Sequence, residues 1–402
     1  MSKKRILIVT ECFYPEEFKI NEVAIEWQKK GYEVDVLTTV PTYPQSKVFD
    51  GYENKWYQID SYNDVTIYRV KAITGYKTSL FKKLLKYFSF MILGSIVSLK
   101  IGKKYDYIFG FDVGALTSMV PAIILRKFYK KPVTLWVQDI WPDSVYAYGF
   151  KKTKFLTFML NGFVKFVYKS SSNFAISAKG FENKILPYLN KTKEILYAPN
   201  WADYLNKDLD AFRFTQDDKI HFTFAGNVGT VQNLENVILA FGKIGTQYLE
   251  KAQLNIIGDG SYLDTLKSIV VKNKIDNIIF LGRKPREEIY RYLEASDFLI
   301  VSLIDKAIFS LTVPAKTQTY ISAKKPILAI VNGEASNIIK ENNLGFCSEP
   351  SDISTITQNF IKAINLDDSE KEAFTKNCDV LTQTVFDKNK IIDNLLELLK
   401  RG

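Results

Sequence analysis

Residues 221–234 read HFTFAGNVGTVQNL, and this run decides the architecture. An apolar strand, His221 to Ala225, stops at a turn holding Gly226 and Gly229, and a helix is expected from Leu234 to Tyr248. Ala252 to Ile257 then reads as the next strand, ending in Gly258-Asp259-Gly260. Strand, glycine turn, helix and strand in that order make a parallel βαβ unit. Ile278–Leu281, Phe298–Leu303 and Pro326–Val331 extend the same sheet.

The same rhythm runs upstream. Arg5–Thr10 is a buried strand, Glu22–Lys30 a helix and Gly31–Thr38 a second strand, with Val65–Lys71, Tyr107–Gly110, Val133–Val137 and Asn173–Ile176 as further strands. The polar stretch 203–218 interrupts the pattern and reads as a linker. The fold class is therefore α/β, two Rossmann-like domains with a cleft between them, divided as 1–200, 201–375 and a C-terminal helical stretch 376–402. Ligands are expected outside the carboxyl ends of the strands.

A chain of 402 residues suits two domains. Its single histidine, His221, leaves little material for Ser-His-Asp chemistry or a multi-histidine metal site, and at the start of its strand it reads as structural. Cys12, Cys347 and Cys378 form no CxxC pair, so neither a disulfide scaffold nor a cysteine zinc site is expected. Charge is lopsided: residues 1–200 hold 30 Lys and Arg against 17 Asp and Glu, a net +13, while the rest carries −3. A basic half of this kind attracts a polyanion or an anionic lipid surface.

Two segments favour lipid. Lys82 and Lys83 lead into the uncharged run 87–99, which includes Phe88 and Phe90 and is too short to span a bilayer. Lys151, Lys152 and Lys154 precede Phe155, Phe158 and Phe163. Both read as interfacial helices whose lysines snorkel toward headgroups, although core helices with solvated lysines would show the same pattern. No signal peptide precedes the first strand, so the expected location is the cytoplasmic face of a bacterial inner membrane, held peripherally. Nucleic acid is not an expected partner, since no RNP, KH or HTH signature appears.

Chemistry concentrates at strand ends. Backbone N–H groups at the Gly226 turn can approach a phosphate, although a tight turn needs glycine with no ligand at all. Pro314-Ala315-Lys316 follows the strand Phe298–Leu303 and opens a helix, so Lys316 and the helix amino end would converge on an anion such as a diphosphate. In the first half, Gln138-Asp139-Ile140-Trp141-Pro142-Asp143 lies past the strand Val133–Val137. Asp139 is the first candidate for a base or an acceptor-orienting group, with Asp143 and Glu11 behind it, and it fits a helix cap as well. Trp136 or Trp141 could stack on an apolar ligand face, with Tyr14 and Gln138 completing the set.

The runs IFSLTVPAKTQTYISAKKPILAI (308–330), FAGNVGTVQNLE (224–235), IIGDG (256–260), LGRKPREEI (281–289) and LWVQDIWPDSVYAYGF (135–150) resemble retaining glycosyltransferases of family 4. The likeness runs from ILIVTECFYPEE (6–17) almost to the end of the chain, and is nearest the WbuB- and WcaI-like branch that assembles surface polysaccharides. The resemblance implies a GT-B fold, with the nucleotide sugar on the second domain, the acceptor on the first and a last helix crossing back. It assigns Gly226, Asn227, Gly229 and Gln232 to the donor diphosphate, Lys316 to the phosphates, Gly282, Arg283 and Lys284 to the nucleobase, and Ser310, Leu311 and Thr312 to sugar or phosphate. Two family glutamates are replaced here by Leu311 and Thr319, so ribose recognition falls to Gln318 or Thr319.

The implied reaction is transfer, with retention, from a nucleoside-diphosphate sugar, a UDP-N-acetylated sugar first, to a polyprenyl-diphosphate-linked saccharide in capsule or O-antigen assembly. Neither a cofactor nor a metal is expected. The alternatives are a GT-B nucleotide-sugar 2-epimerase and a catalytically silent membrane-bound subunit.

Overall fold

The computed structural model describes residues 3–77, 79–147, 149–189, 193–202, 212–214 and 218–402. Most of the expected linker 203–218 lies outside them. The chain divides into two compact units, residues 1–199 with 389–402, and residues 200–388.

The first unit is built on an eight-stranded sheet of β1 (Arg5–Thr10), β2 (Glu33–Thr39), β3 (Tyr57–Tyr62), β4 (Val65–Val70), β5 (Tyr107–Asp112), β6 (Val133–Val137), β7 (Asn173–Ile176) and β8 (Ile195–Tyr197). Its order is β3-β4-β2-β1-β5-β6-β7-β8, parallel except for the β3–β4 pair. β1, β5 and β6 are almost continuously buried, as strands covered by helices on both faces must be. Their carboxyl ends therefore open at one edge, where Glu11, Asp112 and Asp139 follow or finish the strands.

The second unit holds β9 (Ile220–Ala225), β10 (Ala252–Ile257), β11 (Ile278–Gly282), β12 (Phe298–Ser302), β13 (Ile327–Ile330) and β14 (Gly345–Ser348), all parallel in the order β11-β10-β9-β12-β13-β14. Side chains alternate between two cores. Phe222, Phe224, Leu254, Ile256, Phe298 and Ile300 pack on one face, and Ala225, Ile257, Leu299 and Val301 on the other.

Three strands escape the sequence pattern: β3 is a half-exposed antiparallel edge, while β8 and β14 are only three and four residues long. The expected helix 234–248 is two, Leu234–Phe241 and Thr246–Leu249, because Gly245 enters the second at φ +90°, a conformation that suits only glycine well. At the other end of the chain, residues 376–388 stay with the second unit, where Cys378, Leu381 and Phe386 join its core. The final helix, Lys388–Lys400, packs on the first unit: Trp27 Nε1 donates to the Ile392 carbonyl at 3.3 Å, and Asn173 Nδ2 to that of Leu398 at 3.0 Å.

Candidate active site

The second unit forms its site from loops laid side by side at the ends of β9, β10 and β11. Gly226 N–H donates to the Ile257 carbonyl, Val228 N–H to Asp259 and Gly258 N–H to Gly282, each at 2.9 Å. A Cβ on Gly258 would sit 1.8 Å from the Gly226 carbonyl oxygen, so only glycine permits this approach. Gly226, Asn227, Gly258, Asp259, Gly260, Arg283 and Lys284 line a cavity of about 550 Å³. Gly258, Asp259 and Gly260 were not among the expected donor residues. Their signal was available, as a second strand-end glycine pair parallel to the first.

Lys316 lies in the first turn of the helix Ala315–Ser322, and its Nζ is 3.2 Å from where a Cβ on Gly226 would stand. The ammonium is buried, with no hydrogen-bond partner among the described residues, and sits 3.7 Å from the centroid of the Phe224 ring. Burial pulls its pKa down to about 7. One turn on, the Tyr320 hydroxyl accepts from the Ala225 N–H at 3.0 Å and donates to the Ala225 carbonyl at 3.2 Å. Tyr320 thus fastens the lysine helix to the strand that carries the glycine turn, a role the sequence did not signal.

Other expected donor residues have different work. Gln232 Oε1 accepts from the Gly229 N–H at 3.0 Å and bonds Asn227 Nδ2 at 3.4 Å, so it holds the turn together rather than reaching outward. Gln318 is 3% exposed, and its amide, oriented to satisfy both ends, donates to the carbonyls of Pro314 and Ala315; it has no path to a ribose, which corrects that assignment. Thr319 Oγ1 bonds the Ala315 carbonyl at 3.2 Å. Ser310 ends the short helix Ala307–Ser310 and Leu311 and Thr312 follow it, with the Ser310 carbonyl packed against Gly333. His221 is a buried ring stacked on Phe214 at 4.4 Å, at the opposite end of its strand.

In the first unit, Glu11 and Asp139 line one cavity of about 520 Å³ with Cys12, Lys77, Ser79, Lys83, Lys86 and Tyr87. Glu11 is buried and pairs with Lys86 at 3.2 Å. Burial works against the Lys86 ammonium, but Glu11, Cys12 and Tyr76 together outweigh it and the pKa rises. Beside this cavity Asp112 is 1% exposed, with both side-chain oxygens unpartnered among the described residues. Burial, reinforced by the Asp139 charge, raises its pKa well above the usual carboxyl range. Asp112 was missed because a lone Asp ending an apolar strand carries no motif.

The expected acceptor residues separate. Trp136 is wholly buried and donates to the Ala198 carbonyl at 2.9 Å, so it cannot stack on a sugar. Trp141 is 6% exposed, donates to the Gly114 carbonyl at 2.9 Å and packs on Tyr87 and Phe163, behind residues that line the cavity, so it offers no stacking platform. Tyr14 stacks on Tyr62 at 3.6 Å, and Asp143 pairs with Lys184 at 3.0 Å; neither lines the cavity. Gln138 N–H donates to the Asp112 carbonyl at 2.9 Å.

Two helices of this unit carry apolar faces. Leu80–Ile101 is a 22-residue helix that exposes Phe81, Leu84, Leu85, Phe88, Ile92 and Ile96, while Phe90 is buried and cannot reach lipid as expected. Lys154–Lys169 exposes Phe155, Phe158 and Met159, with Phe163 half-buried on Trp141. Phe81–Lys104 is long and apolar enough to cross a membrane by length and composition, yet polar bonds run along it: Thr117 Oγ1 donates to the Tyr87 carbonyl and the Tyr129 hydroxyl to that of Leu99.

Residues 206–379 match the family model described as "Glycosyl transferases group 1". The match lies within the second unit. A probable glycosyltransferase, WbjE of Pseudomonas aeruginosa, is 28% identical over 59% of this chain, and the match spans 62% of WbjE, under two thirds of its length. The putative colanic acid biosynthesis glycosyl transferase WcaI of Escherichia coli is 24% identical over 74% of the chain and 76% of its own. Among solved structures, trehalose 6-phosphate synthase of Burkholderia multivorans superposes with TM-score 0.70 at 10% identity, covering 100% of this chain and 99% of that one. Sucrose-phosphate synthase of Thermosynechococcus elongatus does so with TM-score 0.70 at 14%, over the same shares. The fold of the chain is GT-B.

Proposed function

We propose that the chain is a retaining glycosyltransferase of the WbuB- and WcaI-like kind, moving an N-acetylated sugar from its UDP carrier to a polyprenyl-diphosphate-linked saccharide in capsule or O-antigen assembly. One observation carries the reading: the buried Lys316 ammonium, with no hydrogen-bond partner among the described residues, against the Gly226 turn. A buried cation without a partner is costly, and a diphosphate at the turn removes that cost. The name of one relative, the putative colanic acid biosynthesis enzyme WcaI, supports the polysaccharide setting, and one solved neighbour is a trehalose-6-phosphate enzyme bound with UDP-2-fluoro glucose.

In this reading the bond between the anomeric carbon and the diphosphate oxygen breaks, and a bond to the acceptor hydroxyl oxygen forms on the same face. Lys316 and backbone N–H groups of the Gly226 turn stabilise the charge gathering on the leaving diphosphate. The hydroxyl proton passes to the departing phosphate oxygen or to Asp139, with Glu11 beside it in the cavity. The ammonium and the helix amino end supply the countercharge, so the reading calls on no metal or cofactor. The exposed faces around Phe81–Ile96 and Phe155–Met159, amid the lysines, suit peripheral attachment to an anionic cytoplasmic leaflet.

The test is a panel of UDP-, GDP- and dTDP-sugars, first for thermal stabilisation and then for turnover with and without lipid-linked acceptor. Transfer that requires the lipid acceptor supports the reading. Conversion of the donor sugar without acceptor would make the chain an epimerase, and stabilisation by no nucleotide sugar would leave a silent subunit.

A further inference from the structure

The first-unit cavity has an ion pair built into its lining. Glu11 follows β1 and is 4% exposed, and the Lys86 ammonium reaches it at 3.2 Å from the Leu80–Ile101 helix. Both ends are anchored through the backbone. The hydroxyls of Thr38 and Thr39 donate to the Glu11 carbonyl at 3.1 and 2.9 Å, and Thr117 Oγ1 donates to the carbonyl of Tyr87, next to Lys86, at 2.8 Å.

Lys86 faces Glu11 and Cys12 from the segment after β1, and its Nζ sits 4.4 Å from the centroid of the Tyr76 ring. Lys83 and Tyr87 on its own helix and Glu16 feel its charge as well, and Asp139 acts on Tyr87 from the far side. Lys83, expected at the membrane, lines this cavity instead. A buried ion pair adds little stability over apolar side chains of similar size, while loss of one partner strands the other charge. What this pair supplies is a carboxylate fixed in place, in the same cavity as Asp139.

Resting on the acceptor reading above, we propose that Lys86 is a positioning residue: it holds the Glu11 carboxylate charged and in place, so that Glu11 accepts from one saccharide hydroxyl while Asp139 faces the hydroxyl that reacts. Lys86 itself does not touch the saccharide. Two carboxylates, which only accept hydrogen bonds, suit neighbouring sugar hydroxyls, which can donate them.

The experiment uses the full chain and has an infrared arm and a kinetic arm. In infrared difference spectra at pH 7, with neither donor nor acceptor present, Lys86→Met is expected to gain one protonated-carboxyl band over the wild type, because a buried carboxylate that loses its cation takes up a proton. Lys86→Arg should lack that band, and so should Lys86→Met combined with Glu11→Gln. The Asp112 carboxyl is common to all and cancels. No band, or a band that survives Glu11→Gln and so belongs to Glu16, would overturn the proposal. In the kinetic arm, turnover of Lys86→Met with lipid-linked acceptor should fall at least about tenfold at pH 7 and recover as rising pH strips the proton from Glu11, while Lys86→Arg keeps most of the activity. No loss, or a loss that ignores pH, would make the pair purely structural and overturn the proposal. Circular dichroism checks folding, and Lys86→Gln replaces Lys86→Met if the latter does not fold. A wild type that transfers no sugar would sink the reaction reading alone, and the infrared arm would still decide whether Lys86 holds Glu11 charged.

Discussion

The ammonium of Lys316 stands 3.2 Å from the point that a side chain on Gly226 would first occupy. Two residues 90 positions apart thus meet because their strands, β9 and β12, are neighbours in one sheet and both open at the same edge. The turn can come this close because Gly226 has φ +147°, outside the usual range of other residues.

Replacement of Lys316 by Met keeps the bulk and removes the buried charge. Stability is expected to hold or rise, while affinity for the preferred nucleoside diphosphate falls about 10- to 100-fold, the scale of a charge-assisted hydrogen bond. Gly226→Ala is expected to destabilise the fold by about 1–3 kcal/mol through backbone strain and to weaken nucleotide binding as well. Calorimetric titration and thermal melting read both effects.

Stability should depend on pH through the same lysine. Its folded pKa of about 7 lies below the ordinary value of 10.5, so between those limits the native state binds fewer protons than the unfolded chain. This contribution to stability therefore rises as pH increases from about 7 toward 10.5. Urea unfolding across that window should show the rise in the wild type, relative to a flatter profile in Lys316→Met.

Asp112 behaves with the opposite sign. Its carboxyl is buried without a partner among the described residues and its folded pKa is raised, so the native state holds the proton longer and stability falls as pH climbs above the unfolded value of about 3.9. Asp112→Asn, neutral at every pH, should melt higher than wild type at pH 7 to 8 and lose that advantage near pH 4. A gain that persists unchanged at low pH would contradict the assignment of a strained carboxyl.

Phe155 and Phe158, each 76% exposed, should matter little to the fold and much to lipid. Changing both to Ser is expected to move stability by less than about 0.5 kcal/mol each. Burial of one such ring is worth about 1.5–3 kcal/mol, so binding to anionic vesicles should fall more than tenfold in sedimentation assays. Lys151→Glu with Lys152→Glu and Lys154→Glu should weaken the same binding and make it less sensitive to salt.

Much of this was legible in residue order. Buried parallel strands are near-continuous apolar runs, so β1, β6, β7 and β10 stand out with their bounds, whereas the edge strands β3, β8 and β14 are short or half-wet and show no such run. The donor-side pair, Gly226 and Lys316, was legible because each follows a strand whose neighbour could be guessed. Rotamer direction was not. Trp136 and Phe90 point into the core and Gln318 folds back on its own helix, because which face a side chain takes depends on packing that no local pattern records. Asp112 stayed hidden for the same reason, since only burial makes that carboxyl unusual.

The most direct measurement is the number of protons taken up when the preferred nucleoside diphosphate binds at pH 8.5, obtained by titration calorimetry in buffers of different ionisation enthalpy. With the Lys316 amine largely unprotonated at that pH in the free protein and protonated against a diphosphate, uptake should approach one proton in the wild type and vanish in Lys316→Met. Binding with no proton uptake in the wild type, or with the same uptake in both proteins, would show that this lysine does not meet the phosphates.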